Sequence, residues 1–349
     1  MGKVRQNAEP KVIPSKEGIK NKEDGKGKIV FPKVEIASTF ESAILEVKIS
    51  KDVRTRLIKT VEFETRRWPY YLALPVMWLL TIWVMAKKAV YKLFGKPGPK
   101  ISTLWFDGLG LSCRKLKENA ASWRALDETY NYQFGSHNGL GGLVDDFWEG
   151  MLNCQAVRNR LKLVKQEIRQ AILRFSDHEE VRVFSLAAGS AQGVIEVMAE
   201  LKAQNIKIRT LLVDIDPTAL SYAQELAKRY GVADQIEMVR ANVAQVARIS
   251  RNFQPQVIEM IGLLDYIPQN KAIRLVRKIH ESLRTKGIFL TSNINHNVEQ
   301  CFLQWGINWQ LIYRSPEELA EIVSEAGFSD FRLIYEPLKI HGLVIAQKE

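Results

Sequence analysis

The chain has 349 residues, 46% of them hydrophobic and 26% charged, with a formal net charge of +11. That is enough apolar material for one large domain with appendages or for two domains, and it excludes a wholly disordered chain. Three widely spaced cysteines, Cys113, Cys154 and Cys301, form no C-x-x-C pair, which argues against a disulfide framework or a zinc knuckle and fits a reducing cytoplasm.

The charge is unevenly placed. Residues 1–100 hold 21 Lys/Arg and 10 Asp/Glu, whereas the remainder carries 29 of each. A basic segment beside a neutral body suits an anionic membrane surface better than nucleic acid, which calls for a basic face around the working site; a solubilising tail is the plainer alternative. Residues 1–28 are Lys/Gly-rich and nearly free of large apolar groups, so a disordered basic tail without a secretory leader is expected. Residues 29–67 are mixed, and KTVEFETRR fits a strand or a short helix.

Residues 68–100 begin with an uncharged run from Trp68 to Ala86, bracketed by Arg66 and Arg67 and by Lys87, Lys88 and Lys92, and crowded with Trp and Tyr. Its length barely reaches the roughly 20 apolar residues of a membrane span. Pro75 interrupts it as a candidate helix-opening residue. A single span would leave basic flanks on both sides, against the positive-inside tendency, which favours a helix lying on the membrane or dipping in and out of it over a span; a core or dimer helix is the third alternative. KPGPK closes the segment as a stiff linker.

Residues 101–176 read as a helical cap. Glycine-bearing irregular stretches flank a helical SCRKLKENAASWRALDETY, and one long helix is expected from Phe147 to Phe175 on its apolar stripe. Residues 177–349 then alternate strand and helix. Short apolar strands (VRVFSL, IKIRTLLVD, QIEMVRA, PQVIEMIG, GIFLTSN) separated by helices indicate a parallel sheet covered on both faces, and FRLIYEP with LVIAQKE predicts a closing hairpin.

In such sheets ligands bind beyond the carboxyl ends of the strands. Three stretches meet there. VFSLAAGSAQG carries small residues that let a ligand approach backbone. Asp214 ends the second strand, 25 residues after Gly189, where a carboxylate can accept both ribose hydroxyls. Asn242 in RANVA lies where an adenine edge would fall.

This combination resembles the class I S-adenosylmethionine-dependent methyltransferases, over about half of the chain from residue 180 onward. Against a first motif such as VLDLGCGTG, the chain has Ser185 for the acid, Ala187 for the first glycine, Gly189 for the middle one and Ala191 for the last. LLVDIDPTAL matches the second motif closely, while QVIEMIGLLDYIP, LRTKGIFLTSN and YRSPEELAEIVSEAGF resemble the later ones. The resemblance implies a Rossmann-like α/β fold, with a seven-stranded, mostly parallel sheet, an antiparallel C-terminal hairpin and a helical N-terminal extension. It implies S-adenosyl-L-methionine as cofactor, held by Ser185, Ala187, Gly189, Ser190, Asp214, Ile215, Asn242 and Val243, with Arg158 pairing its carboxylate, and no metal. Alanine in the first motif is expected to be tolerated provided its φ stays negative. The NAD-binding alternative wants G-x-G-x-x-G, which is absent here.

Tyr266, Asn293 and His296 are the candidate catalytic residues, with His296 as a base if the acceptor needs one; a solvated loop residue is the plainer reading of that histidine. Asp265 is expected to cap the helix opened by Pro268. Trp305 and Trp309 are expected on one helix face, walling an apolar acceptor pocket or merely packing, with Arg314 as a candidate anchor for a carboxylate there. The expected function is methyl transfer to a small-molecule or lipid acceptor by a cytoplasmic protein peripheral to the inner membrane face. A non-catalytic cofactor binder and an RNA methyltransferase are the alternatives.

Overall fold

A computed structural model describes residues 62–96, 106 and 108–349. The expected basic tail (1–28), the mixed stretch as far as residue 61 and linker residues 97–100 lie outside the described residues.

The C-terminal half of the chain is built on one seven-stranded sheet. β1 (Val181–Leu186), β2 (Ile208–Asp214), β3 (Ile236–Arg240), β4 (Val257–Met260) and β5 (Ile288–Ile294) run parallel. β6 (Asp330–Tyr335) and β7 (His341–Gln347) form the closing hairpin. The strand order is β3-β2-β1-β4-β5-β7-β6, with β7 inserted antiparallel between β5 and β6. The order reverses at β1, so the crevice between the ends of β1 and β4 is the ligand-binding edge. β4 and β5 are buried along their whole length and β1 at all but one position, as expected for central strands covered on both faces.

The helices follow their local signals. α7 (Pro217–Arg229) starts at an Asp216 N-cap whose side chain accepts from Thr218 N–H, with proline in its first turn. α10 (Pro316–Glu325) opens on a Ser315/Glu318 capping box. α6 (Gln192–Lys202), α8 (Val246–Phe253) and α9 (Gln269–Ser282) complete the layers around the sheet.

The N-terminal half departs from expectation. The single helix predicted over Phe147–Phe175 is two: α4 (Gly139–Glu149) and α5 (Leu152–Leu173). The break falls at Gly150, where an added Cβ would lie 1.8 Å from the Tyr70 hydroxyl, so glycine admits another helix at this point. The glycine-rich GLGG forms the first turn of α4 and is not irregular. SCRKLKENAASWRALDETY likewise divides into α2 (Leu111–Glu118) and α3 (Trp123–Asn131), separated by left-handed Ala121.

α1 (Trp68–Leu93) has proline in its first turn and Pro75 inside, so the opening proline is Pro69 and not Pro75. It is long and apolar enough to cross a membrane by length and composition alone. One stripe, Tyr70, Leu74, Met77, Thr81 and Val84, is buried at a spacing of three and four. Its Tyr70, Leu74 and Met77 belong to a cluster with Trp148, Met151, Phe302 and Leu303. The other faces leave Trp68, Leu72, Val76, Trp78, Leu79, Ile82 and Trp83 exposed.

Candidate active site

Between β1 and α6 the chain makes a tight turn with three left-handed residues: Ala187 at φ 52°, Gly189 at 54° and Ala191 at 51°. The expectation of negative φ at the alanines is therefore corrected. A left-handed alanine costs roughly 1–2 kcal/mol, and such strain persists where surrounding contacts over-determine it. Here Ala188 N–H donates to the Val213 carbonyl (3.1 Å) and Ala191 N–H to the Ala188 carbonyl (2.7 Å).

Asp214 pins the same turn. Its Oδ2 accepts from Gly189 N–H (2.9 Å) and its Oδ1 from Asp216 N–H (2.8 Å). Each oxygen keeps acceptor capacity for a ligand hydroxyl. Ile215 beside it is 63% exposed, an apolar surface next to a hydroxyl-accepting carboxylate. Asn242 is exposed, and its side chain caps the turn at Val243–Gln245 by accepting from Ala244 N–H. Val243 is half-buried and Ser190 buried. Gly189 also admits a neighbour: a Cβ there would sit 3.1 Å from that of Trp123 on α3, whose indole N–H donates to Asp216.

Two expected cofactor contacts are corrected. Ser185 is fully buried, and its hydroxyl donates to Glu259 on β4, its register partner. Arg158 is turned to the N-terminal segment. Its guanidinium holds Glu64 through bonds of 2.7–3.0 Å, donates to the Glu149 carbonyl at 2.9 Å and lies 3.5 Å from the Glu149 carboxylate. Its Nη1, which has no hydrogen-bond partner among the described residues, is the atom that lies beside the Glu149 carboxylate.

Glu259 is a carboxylate that sequence reasoning passed over. It occupies the row where the family motif carries its acid, one strand across from Ser185, and burial pushes it up to about 7. The only sequence signal was an acid inside the otherwise apolar QVIEMIG. Its raised value means the folded state binds this proton more tightly than the unfolded chain does. The associated stability is complete below the ordinary 4.5 and is lost as pH rises through about 7. Glu259→Gln is expected to raise the melting temperature at pH 8 relative to the parent but not at pH 4.5. The differential reaches at most about 3 kcal/mol, read by thermal unfolding at the two pH values.

Beyond the ends of β4 and β5 lies a second space, a cavity of ≈ 70 Å³. Its walls include Phe106, Trp148, Phe302, Leu303, Ile307 and Trp309, with Trp148 stacked on Phe302 at 5.0 Å. Tyr266 lines it, its hydroxyl accepting from the Trp309 indole N–H at 2.8 Å. Arg160, Asp265, Asn153 and His341 contribute the polar lining, and Gly262 connects it to the end of β4.

The other expected residues are placed differently. His296 is exposed, bonded to Gln300 at 3.1 Å and stacked near Tyr313, outside the cavity lining. Asn293 is buried, donating to the Ile294 and Ile312 carbonyls and accepting from Arg314, so it fixes a loop. Arg314 is itself committed to the carbonyls of Leu264 and Ile267 and to Gln269. Asp265 caps no helix; it accepts from Ile294 N–H at 2.7 Å and faces Arg160 at 3.8 Å. Trp305 and Trp309 do not share a helix, because a wide helical turn (Phe302–Gly306) ends between them, leaving Trp305 outward and Trp309 in the cavity.

A model of the protein family described as "Putative methyltransferase" matches residues 81–348. The chain belongs to this family. The chain also shares its fold with the crystal structure of a possible exported protein from Bordetella parapertussis, at 17% identity and a TM-score of 0.57, covering 78% of this chain and 96% of that one. Magnesium protoporphyrin IX methyltransferase from Synechocystis PCC 6803, solved with bound SAH, is similar at 12% identity and a TM-score of 0.45, over 57% of this chain and 87% of that one. "Uncharacterized protein YnbC" from Escherichia coli K12 is 22% identical over 217 residues. That match takes in 59% of this chain and spans 37% of the length of this curated relative. The sheet order and the strand-end cradle are those of the class I S-adenosylmethionine-dependent methyltransferases.

Proposed function

We propose that the chain transfers a methyl group from S-adenosylmethionine to a small or lipid-soluble acceptor held in the aromatic cavity, while α1 rests on an anionic membrane surface. The observation that carries this reading is the shared edge. The Asp214 cradle and the aromatic cavity both open beyond the carboxyl ends of the parallel strands, one for a nucleoside and one for an apolar molecule.

The residues fit the cofactor. Asp214 keeps capacity for two ribose hydroxyls, and Ile215 offers an apolar face to an adenine ring. When bound, the sulfonium brings an activated methyl group, and the protein's part is positioning and exclusion of water. Trp148, Phe302 and Trp309 exclude water around the acceptor, and Tyr266 orients it.

The membrane part rests on α1. Its exposed Trp78, Trp83 and Ile82 lie beside Lys87, Lys88 and Lys92, an apolar face flanked by cations as in interfacial helices. Because one stripe is packed against protein, the helix lies along the body, which favours surface contact over a span. The basic flank and three free cysteines support the cytoplasmic face.

The deciding experiment incubates the chain with methyl-labelled cofactor and with separated membrane and soluble extracts. Label is expected in the lipid-extractable fraction. Cofactor binding without transfer to any fraction points to a non-catalytic binder, and label in RNA replaces the acceptor class. In flotation assays the chain is expected to rise with vesicles containing phosphatidylserine. Trp78→Ser with Trp83→Ser should weaken that binding at least about tenfold, since each buried indole contributes on the order of 1–2 kcal/mol.

A further inference from the structure

The cavity has a polar floor whose hydrogen bonds are incomplete. His341, at the first position of β7, is only 4% exposed, and neither ring nitrogen has a partner among the described residues. It lines the aromatic cavity together with Arg160. Burial and the nearby Arg160 guanidinium hold its imidazole well below the ordinary histidine range, so it stands neutral. Arg160 is 2% exposed; it donates to the Tyr130 hydroxyl at 3.0 Å and faces Asp265 at 3.8 Å, but its Nε is also without a partner. The Asn153 carbonyl oxygen on the same lining is a further unpartnered atom.

Buried polar groups left unpaired are unfavourable and rare, and several converging on one apolar cavity are most simply explained by a ligand that completes them. The kind of ligand follows from the floor's charge. Arg160 already faces Asp265, and His341 is neutral, so the floor carries no surplus positive charge to hold an anion. A neutral imidazole presents one acceptor and one donor, which suits a hydroxyl, itself both donor and acceptor. The walls above are Trp148, Phe302, Trp309 and Phe106, whose flat faces suit a ring.

We propose that His341 and Arg160 form the recognition floor for the hydroxyl of a neutral, ring-bearing acceptor of the phenol or enol class, and this rests on the methyltransferase reading above. The hydroxyl donates to one imidazole nitrogen. As the new oxygen–methyl bond forms, the sulfur–methyl bond breaks and its electron pair returns to sulfur as a neutral thioether. The hydroxyl proton passes to the Asp265 carboxylate on the same lining, and Arg160 stabilises the developing negative charge on oxygen. This places the hydroxyl's hydrogen-bond partner on β7, across the sheet edge from the exposed His296.

The test compares three probes of one shape on the full chain: 2-naphthol, naphthalene and 2-naphthoate, by equilibrium dialysis. The expected order puts 2-naphthol at least tenfold tighter than the other two. His341→Phe should abolish that preference while leaving naphthalene binding unchanged or improved, and His341→Gln, which keeps a donor and an acceptor, should restore part of it. Equal binding of naphthol and naphthalene, or a naphthol preference that survives His341→Phe, overturns the proposal. Tightest binding of naphthoate also overturns it, in favour of an anion held by Arg160. S-adenosylhomocysteine binding, measured by calorimetry on the same samples, separates the two readings. Its absence refutes the methyltransferase reading, whereas its presence without a naphthol preference refutes only the floor.

Discussion

Replacing Asp214 by alanine is expected to lower affinity for S-adenosylhomocysteine by about 100-fold or more, measured by calorimetry. The carboxylate is the one group at the end of β2 that can accept two ligand hydroxyls, and each charge-assisted bond contributes about 1.5–3 kcal/mol. The change also releases the cradle, because Asp214 holds Gly189 N–H and Asp216 N–H. Without it, the left-handed alanines at 187 and 191 lose a contact that keeps the turn in place. Asparagine is not a mild replacement. Both oxygens face backbone N–H groups, so the amide must point its own N–H₂ at one of them. Asp214→Asn is therefore expected to fall close to the alanine variant. Affinity within threefold of the parent for both variants would remove the nucleoside site from this turn.

The second large effect concerns stability. Arg158→Ala is expected to destabilise the fold by about 3–5 kcal/mol, the usual result of removing one partner from a buried ion pair. Glu149 is fully buried and its carboxylate oxygens have no hydrogen-bond partner among the described residues. Burial pushes it up to about 7, with Arg158 as the main opposing influence. Losing the guanidinium strands that carboxyl and frees Glu64. Chemical denaturation measures the loss. S-adenosylhomocysteine affinity of the folded variant should be unchanged at low temperature. Loss of affinity with stability intact would return Arg158 to the cofactor.

The sheet was readable because each signal for it is local. VRVFSL, IKIRTLLVD and GIFLTSN are apolar runs bounded by turn residues, and Asp216-Pro217 and Ser315-Pro316 mark helix starts within a few residues. The cap was less readable because its punctuation comes from far away. α2 is capped by Asp145, which accepts from the N–H groups of residues 111–113, and α5 by Glu299, which accepts from Leu152 and Asn153 N–H. A helix whose capping group is some 30 or 150 residues distant shows no start signal in its own sequence. Gly150 resembled a tolerated mid-helix glycine until Tyr70 appeared beside it.

The site divides in the same way. Asp214 and the turn after β1 were legible as a motif. His341 was not, since it sits at the start of a closing strand where nothing in the sequence distinguishes it from a loop residue. Only the antiparallel insertion of β7 beside β5, pairing Ile294 with His341, carries it to the sheet edge. His296 had the more suggestive position, in a polar loop directly after β5, and the same topology leaves it outside.

The docking of α1 has a practical consequence. Its buried stripe rests on the turn at Phe302–Gly306, Lys88 donates to the Trp305 carbonyl, and Phe302 and Leu303 from that turn form part of the cavity lining. Truncating the chain after α1 to obtain a freely soluble fragment would strip one side from that turn and leave its apolar residues facing water. Such a fragment would retain the Asp214 turn but present a slackened aromatic cavity. Low turnover measured on it would then describe the amputation and not the enzyme.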